Sequence, residues 1–234
     1  MLRSGALAAL FILLLTTALS TESSPASAAD CGDRPQAGVN WSSCMKARLR
    51  LAGNDLSGGT FQRTDLGGSD LKGSNLSKAD LESADLSRAR LEEADLTGAS
   101  MIRVYAGRTN FREAKLAGAS LFKAELPRSD FSGADLSGAD LTKAEMSRTD
   151  FSGADLSGAN LTGAVLLRTI FKGAALEGAD FSSAILIRTH LEGADLSASI
   201  GLTQDQLTNA CGDAQTTLPE TLRAPASWPC PSDE

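Results

Sequence analysis

The sequence predicts a solenoid, a chain that coils in steps of five residues around one apolar axis. Three observations predict it. Stepping by five from Leu51 to Leu196 gives 30 positions, of which 29 hold Leu, Phe or Met and one holds Ala106. Arg88, Arg108, Arg128, Arg148, Arg168 and Arg188 recur every 20 residues without a slip, and Phe111, Phe131, Phe151 and Phe171 share that spacing. Aromatic residues are only 5% of the 234, too few rings for an ordinary compact core.

A period of five suits neither a helix, which repeats at 3.6, nor a strand, which repeats at 2. An apolar residue every five steps of an α-helix would spiral around its surface and build no face. The chain must instead make a quarter-turn per five residues, so that every fifth side chain meets a common axis. The residue two before each centre is small (Ala79, Ala94, Ala134, Ala154) and can also face inward, while the other three face water. Four steps make 20 residues, so the Arg and Phe series become columns along the coil axis. Leu this regular argues against disorder, and a net charge of −7 argues against binding nucleic acid through a basic surface.

Residues 1–28 read as a secretory signal peptide. Met1-Leu2-Arg3 gives a positive start, and Ala6 to Leu19 is an apolar run of 14 residues, short of the roughly 20 needed to span a bilayer. Ala26-Ser27-Ala28 then supplies a small-x-small cleavage site, which puts the mature start near Ala29 and the protein outside the cytoplasm. Cys31 follows Asp30, where a lipobox needs a small residue. The mature chain contains no membrane span. Residues 29–48 read as an N-terminal capping loop, with Pro35, Gly38 and Trp41 between Cys31 and Cys44, and with Trp41 placed to cover the first coil.

Residues 49–200 are the repeat. Segments such as Ala134-Asp135-Leu136-Ser137-Gly138 and Ala154-Asp155-Leu156-Ser157-Gly158 resemble the A(D/N)Lxx signature of the pentapeptide-repeat family, and the resemblance runs from Leu49 to about Ser199. It implies a β fold, a right-handed quadrilateral β-helix, from a bacterial exported protein, periplasmic or secreted. Thirty centres at four per coil give about 7.5 coils and a rod of roughly 36 Å at about 4.8 Å per coil. One coil departs from the pattern. Val104 replaces a small residue where Ala106 replaces a large one, an exchange of volume that leaves Tyr105 pointing outward.

Residues 201–234 form a C-terminal cap. Thr203-Gln204-Asp205-Gln206 has the form of a capping box, with Leu202 and Leu207 as a flanking staple. A short helix from about Gln204 to Ala210 should follow, ending near Gly212, and then an irregular tail containing Pro219, Pro225, Pro229 and Pro231. The four cysteines lie in two pairs at opposite ends of the repeat. In an exported chain they read as disulfides, and their spacing is unlike that of zinc knuckles. A disulfide needs Cα atoms within about 7 Å, so a rod of roughly 36 Å separates the pairs into Cys31–Cys44 and Cys211–Cys230.

Little chemistry is visible. His190 is the one histidine and sits in an outward slot, while Ser and Asp are spread through the repeat, so no Ser–His–Asp set stands out. The aspartates belong to the family motif, and calcium-binding nonapeptides are missing. The reading is a non-enzyme without cofactor or metal. Two outward features remain as a candidate interaction surface. The Arg column reads most simply as an exposed salt-bridge ladder with Asp85, Glu125, Glu145, Asp130 and Asp150, and more sharply as a ruler for a polyanion or acidic partner. Val165, Leu167, Ile170, Ile185 and Ile187 form an apolar patch where earlier coils are polar, to be covered by the protein's own tail (Leu218, Leu222, Trp228) or by another subunit or protein.

These features describe an exported rod acting as a structural or protein-interaction scaffold. The partner is an unknown protein or a second copy meeting the C-terminal patch. The resemblance also implies an alternative, a mimic of duplex DNA that occupies a type II topoisomerase. That reading requires a cytoplasmic location and an acidic surface uninterrupted by arginine.

Overall fold

A turn every five residues leaves each side of the coil room for one paired residue. The computed structural model describes residues 29–230; the export signal read at 1–28 lies outside the described residues. The residue before each centre bridges in parallel to the residue twenty further on, in four ladders that start with Asn40–Thr60, Met45–Asp65, Arg50–Asp70 and Asp55–Asn75. Around each bridge the backbone is tied on both sides. Leu136 N–H donates to Asp155 O at 2.7 Å, Asp135 N–H to Ala114 O at 3.0 Å, and Ala139 N–H closes the corner onto Leu136 O at 3.0 Å. The result is a four-sided β-solenoid built from single bridges.

Two residues past each centre the backbone turns with positive φ, as in Gly138 (+63°) and Arg128 (+59°), the third position of a type II turn. The aspartate before the centre secures that turn. Asp135 Oδ1 accepts the Ser137 N–H at 3.0 Å and Asp155 Oδ1 the Ser157 N–H at 2.9 Å, which gives the motif's Asp a structural use.

The interior follows the sequence register. Leu136, Leu156 and the small residues Ala144 and Ala164 are buried. Phe111, Phe131, Phe151 and Phe171 stack with ring centroids 4.4, 5.0 and 5.2 Å apart, close to the spacing of the coils that carry them. Val104 and Ala106 are both buried, as the exchange of volume requires.

Both ends differ from the sequence boundaries. Coil geometry begins ahead of residue 49, because Trp41 fills a centre slot, buried and edge-on to Phe61 at 5.8 Å, and Cys44 fills a small-residue slot. The predicted capping loop is thus partly coil, locked by Cys31–Cys44 (Cα–Cα 5.6 Å) and by Trp41 Nε1 donating to Asp33 O at 3.2 Å. At the far end α1 spans Gln204–Thr208, shorter than predicted, with the Thr203/Gln206 capping box formed. Gln206 Nε2 also donates to Phe181 O and Ala184 O, both at 2.9 Å, satisfying carbonyls of the coil below. The chain then rejoins the ladders at Cys211 (to His190) and Thr217 (to Asp195), so part of the segment read as irregular tail completes a coil. Cys211–Cys230 (Cα–Cα 5.2 Å) fastens the remainder. Among the described residues no helix is long and apolar enough to cross a membrane.

Candidate interaction surface

The six column arginines share one corner of the coil, each two residues past a centre, at φ between +52° (Arg188) and +59° (Arg108, Arg128, Arg148). A side chain in this region costs of order 1–3 kcal/mol relative to an ordinary backbone, which is why glycine is its usual occupant. The fold holds the corner with a device of its own. Thr109, Thr149, Thr169 and Thr189 point inward and donate their hydroxyls to Leu86 O, Leu126 O, Met146 O and Leu166 O of the preceding coil, each at 2.6 Å. Ser129 does the same to Ala106 O. These buried hydroxyls follow the arginines by one residue and repeat every 20, a signal present in the sequence that its analysis passed over as generic small residues.

Five of the six column arginines form no salt-bridge ladder. Among the described residues Arg88, Arg108, Arg128, Arg148 and Arg168 have no carboxylate within 4.0 Å and no side-chain hydrogen bond, whereas ion pairs do occur elsewhere: Lys72–Glu93 at 3.0 Å, Arg90–Asp70 at 3.5 Å and Arg103–Glu82. Three of the expected acidic partners are engaged by their own turns, while Glu125 and Glu145 are exposed. Asp85 accepts the Ser87 N–H at 2.7 Å, and Asp130 and Asp150 accept both the N–H and hydroxyl of Ser132 and Ser152. The corner therefore carries four exposed guanidinium groups and a half-buried one at Arg168, none in a close ion pair among the described residues, about one coil spacing of 4.8 Å apart.

Two clefts open along this edge. One of about 640 Å³ is lined by Ser87, Arg88, Tyr105, Arg108, Pro127 and Arg128. Tyr105 folds across Gly107, where a Cβ would stand 3.1 Å from its hydroxyl, so the irregular coil contributes an aromatic wall beside three arginines. The second, of about 340 Å³, is lined by Ser147, Arg148, Leu167, Arg168, Ile187 and Arg188. The arginines stand out in the sequence, whereas Tyr105 and Pro127 become their neighbours only through the coil.

The apolar patch lies partly in that second cleft. Val165, Leu167 and Ile170 are half-buried, but Ile185 and Ile187 remain 44% and 49% exposed. The C-terminal tail does not cover them. Leu218, Leu222 and Trp228 pack on the end of the core, and Trp228 lies on Gly212 with its Nε1 donating to Ala210 O at 2.8 Å. His190 stands near the same end with Nδ1 3.0 Å from Glu192 Oε1, partly buried instead of fully solvated.

The opposite corner, ten residues or half a coil away, is bare. Gly98, Gly118, Gly138, Gly158 and Gly178 occupy the positive-φ slot there. Asp135, Asp155 and Asp195 line the face before it, and Asp80, Asp140 and Asp180 the face after it. A hydrogen bond from Ser182 holds the Asp180 carboxyl below the usual carboxylate range, and bonds from Thr217 and then Ser197 do so for Asp195. The glycine corner is thus mainly anionic, with Lys78 and Lys115 among its acids, while the arginine corner sets its guanidinium groups between the ladder of Glu125 and Glu145 and that of Asp130 and Asp150.

The family model for pentapeptide repeats matches residues 74–112, 89–126, 129–168, 144–182 and 168–200, with eight copies. Among solved structures the chain is similar to HetL from the cyanobacterium Nostoc sp. strain PCC 7120, a pentapeptide repeat protein involved in heterocyst differentiation regulation. The identity there is 29% over 75% of this chain and 90% of that one, with a TM-score of 0.40. A pentapeptide repeat protein of the Arabidopsis thaliana thylakoid lumen is 35% identical over 51% of this chain and 70% of its own, with a TM-score of 0.25. QnrB1, a plasmid-mediated fluoroquinolone resistance protein, is 20% identical over 74% and 92%, with a TM-score of 0.32. No curated protein matches the chain.

Proposed function

Because the chain belongs to the pentapeptide-repeat family, we propose that it is a non-enzymatic exported rod whose surface is its instrument, a scaffold that holds a protein partner along the arginine edge. The observation that carries this reading is the set of unpartnered guanidinium groups at Arg88, Arg108, Arg128, Arg148 and Arg168. They sit on backbone that glycine would occupy at lower cost, and a column that neither relieves strain nor pairs internally is suited to an external contact. Tyr105 and the exposed Ile185 and Ile187 add apolar area along the same side, the mixture of aromatic, arginine and aliphatic groups that binding surfaces use.

Export rests on the apolar run Ala6 to Leu19, the Ala26-Ser27-Ala28 site and the two disulfides, which persist in an oxidising compartment. N-terminal sequencing of the protein from its native cells should begin near Ala29, and an intact Met1 on cytoplasmic protein would remove this part of the reading. The arginine edge also weighs against the alternative of a duplex-DNA mimic on a topoisomerase, since it breaks the negative surface that such a copy needs. A photocrosslinking residue placed at Arg128 should yield protein adducts in native cells, and the same residue at Glu113, on the neighbouring edge, should not. Equal yields at both positions, or none, would contradict the assignment of the contact to the arginine edge.

A further inference from the structure

Accepting the arginine edge as a contact surface, we infer that its occupant is a second copy of this chain, presenting the glycine edge and its two flanking aspartate columns, so that rods associate side by side. The first argument is periodicity. Both edges belong to the same 20-residue coils, so a second rod lying alongside offers at least one carboxylate per coil from Asp80 to Asp195, at the same axial spacing as the guanidinium groups, with a gap at the coil that holds Lys115 and Ser120. An unrelated extended strand repeats its same-side residues at roughly 6.8 Å against about 4.8 Å for the coils, and falls out of step within a few arginines.

Charge gives the second argument. Among the described residues Arg88, Arg108, Arg128, Arg148 and Arg168 have no carboxylate of their own within 4.0 Å, and the turn bonds of Asp135, Asp140 and Asp155 go to Oδ1. Oδ2 of each is left for an incoming guanidinium. Shape gives the third. A Cβ built at Gly118, Gly138 or Gly158 would meet nothing within 4 Å, so this corner is a smooth ridge between two acidic columns. Long arginine side chains can straddle such a ridge and reach the aspartates on either side.

A contact between two different edges is heterologous. Each added rod offers a fresh arginine edge and a fresh glycine edge, so the association extends into rows instead of stopping at a dimer.

The experiment is sedimentation velocity on the exported, disulfide-bonded protein across a concentration series, at about 0.01 M and about 1 M salt, where screening lengths differ tenfold. Two charge-reversed proteins accompany it. One carries Arg108→Glu, Arg128→Glu and Arg148→Glu. The other carries Gly118→Lys, Gly138→Lys and Gly158→Lys, substitutions the corner tolerates because Lys78 already holds a slot of that column at φ +56°. Circular dichroism melts check that both fold.

The expected result is association that grows with concentration at low salt and is lost at high salt. Each triple variant alone should associate about tenfold more weakly or not at all, and an equimolar mixture of the two should recover it, because reversed edges complement one another. A protein that stays monomeric at low salt at every concentration would overturn the inference. So would association that neither variant weakens, or that the mixture fails to restore. A crosslinked partner at Arg128 other than this chain, with the rod itself monomeric, would overturn self-association and leave the scaffold reading standing.

Discussion

Arg128 and Gly138 stand at opposite corners of the rod, at the same point of the same turn, with φ of +59° and +63°. The backbone asks the same of both. At the glycine corner the answer is the residue that adopts this conformation without a steric penalty. At the arginine corner a long charged side chain is installed coil after coil, and buried hydroxyls from Thr109, Ser129, Thr149, Thr169 and Thr189 brace the turn from inside. The difference teaches that the two corners answer to different demands. One column is glycine from Gly98 to Gly178, after Lys78, and the other is arginine from Arg88 to Arg188, the choice that the proposed contact surface would account for.

The comparison breaks most severely if the interior is not shared. Leu156→Asp, just before the glycine corner, and Leu126→Asp, just before the arginine corner, both bury a carboxylate among apolar columns. Each should cost several kcal/mol in denaturant unfolding. Similar losses would show that one core lies under both corners, whereas a tolerated Leu126→Asp would show that the arginine corner is open to water.

A smaller effect isolates the bracing hydroxyls. Thr149→Val keeps the volume and removes the donor to Leu126 O, which should cost about 1 kcal/mol. The matching position before the glycine corner's next side, Ala159, makes no such bond, so Ala159→Ser should gain nothing comparable. An unchanged melting midpoint for Thr149→Val would mean that the hydroxyl column is incidental.

Smaller still is Asp155→Ala, which removes an exposed carboxylate and its bond to Ser157 N–H. Its cost should be below about 1 kcal/mol, and unfolding as damaging as that of Leu156→Asp would place the inward register wrongly.

Much of this molecule is legible in its sequence, because one residue in five reports directly on the axis. The limits appear where another force intrudes on the count. Lys46 occupies a centre slot, its ammonium 4.2 Å over the Trp41 ring and donating to Cys31 O, so the apolar series could not be followed back to Trp41. At the other end α1 lengthens the step between ladder partners from 20 residues to 21 for His190–Cys211, and the turn at Asp213–Thr216 lengthens it to 22 for Asp195–Thr217, which hides the closing coil from any search at fixed spacing. The arginine column was plain in the sequence, but the absence of an ion pair at Arg88, Arg108, Arg128, Arg148 and Arg168 among the described residues was not. Whether Asp85 or Asp130 serves an arginine or its own turn depends on side-chain geometry that a one-dimensional pattern does not carry.

The claim that the arginine corner is kept for contact and not for the fold is tested most directly by making it resemble its opposite. Arg108→Gly, Arg128→Gly and Arg148→Gly together should leave the thermal midpoint unchanged or raise it, since relief of backbone strain offsets the added freedom of the unfolded chain. The same protein should lose its salt-sensitive association. A lowered midpoint with association intact would contradict the account, because it would make the arginines part of the structure and not of the surface it presents.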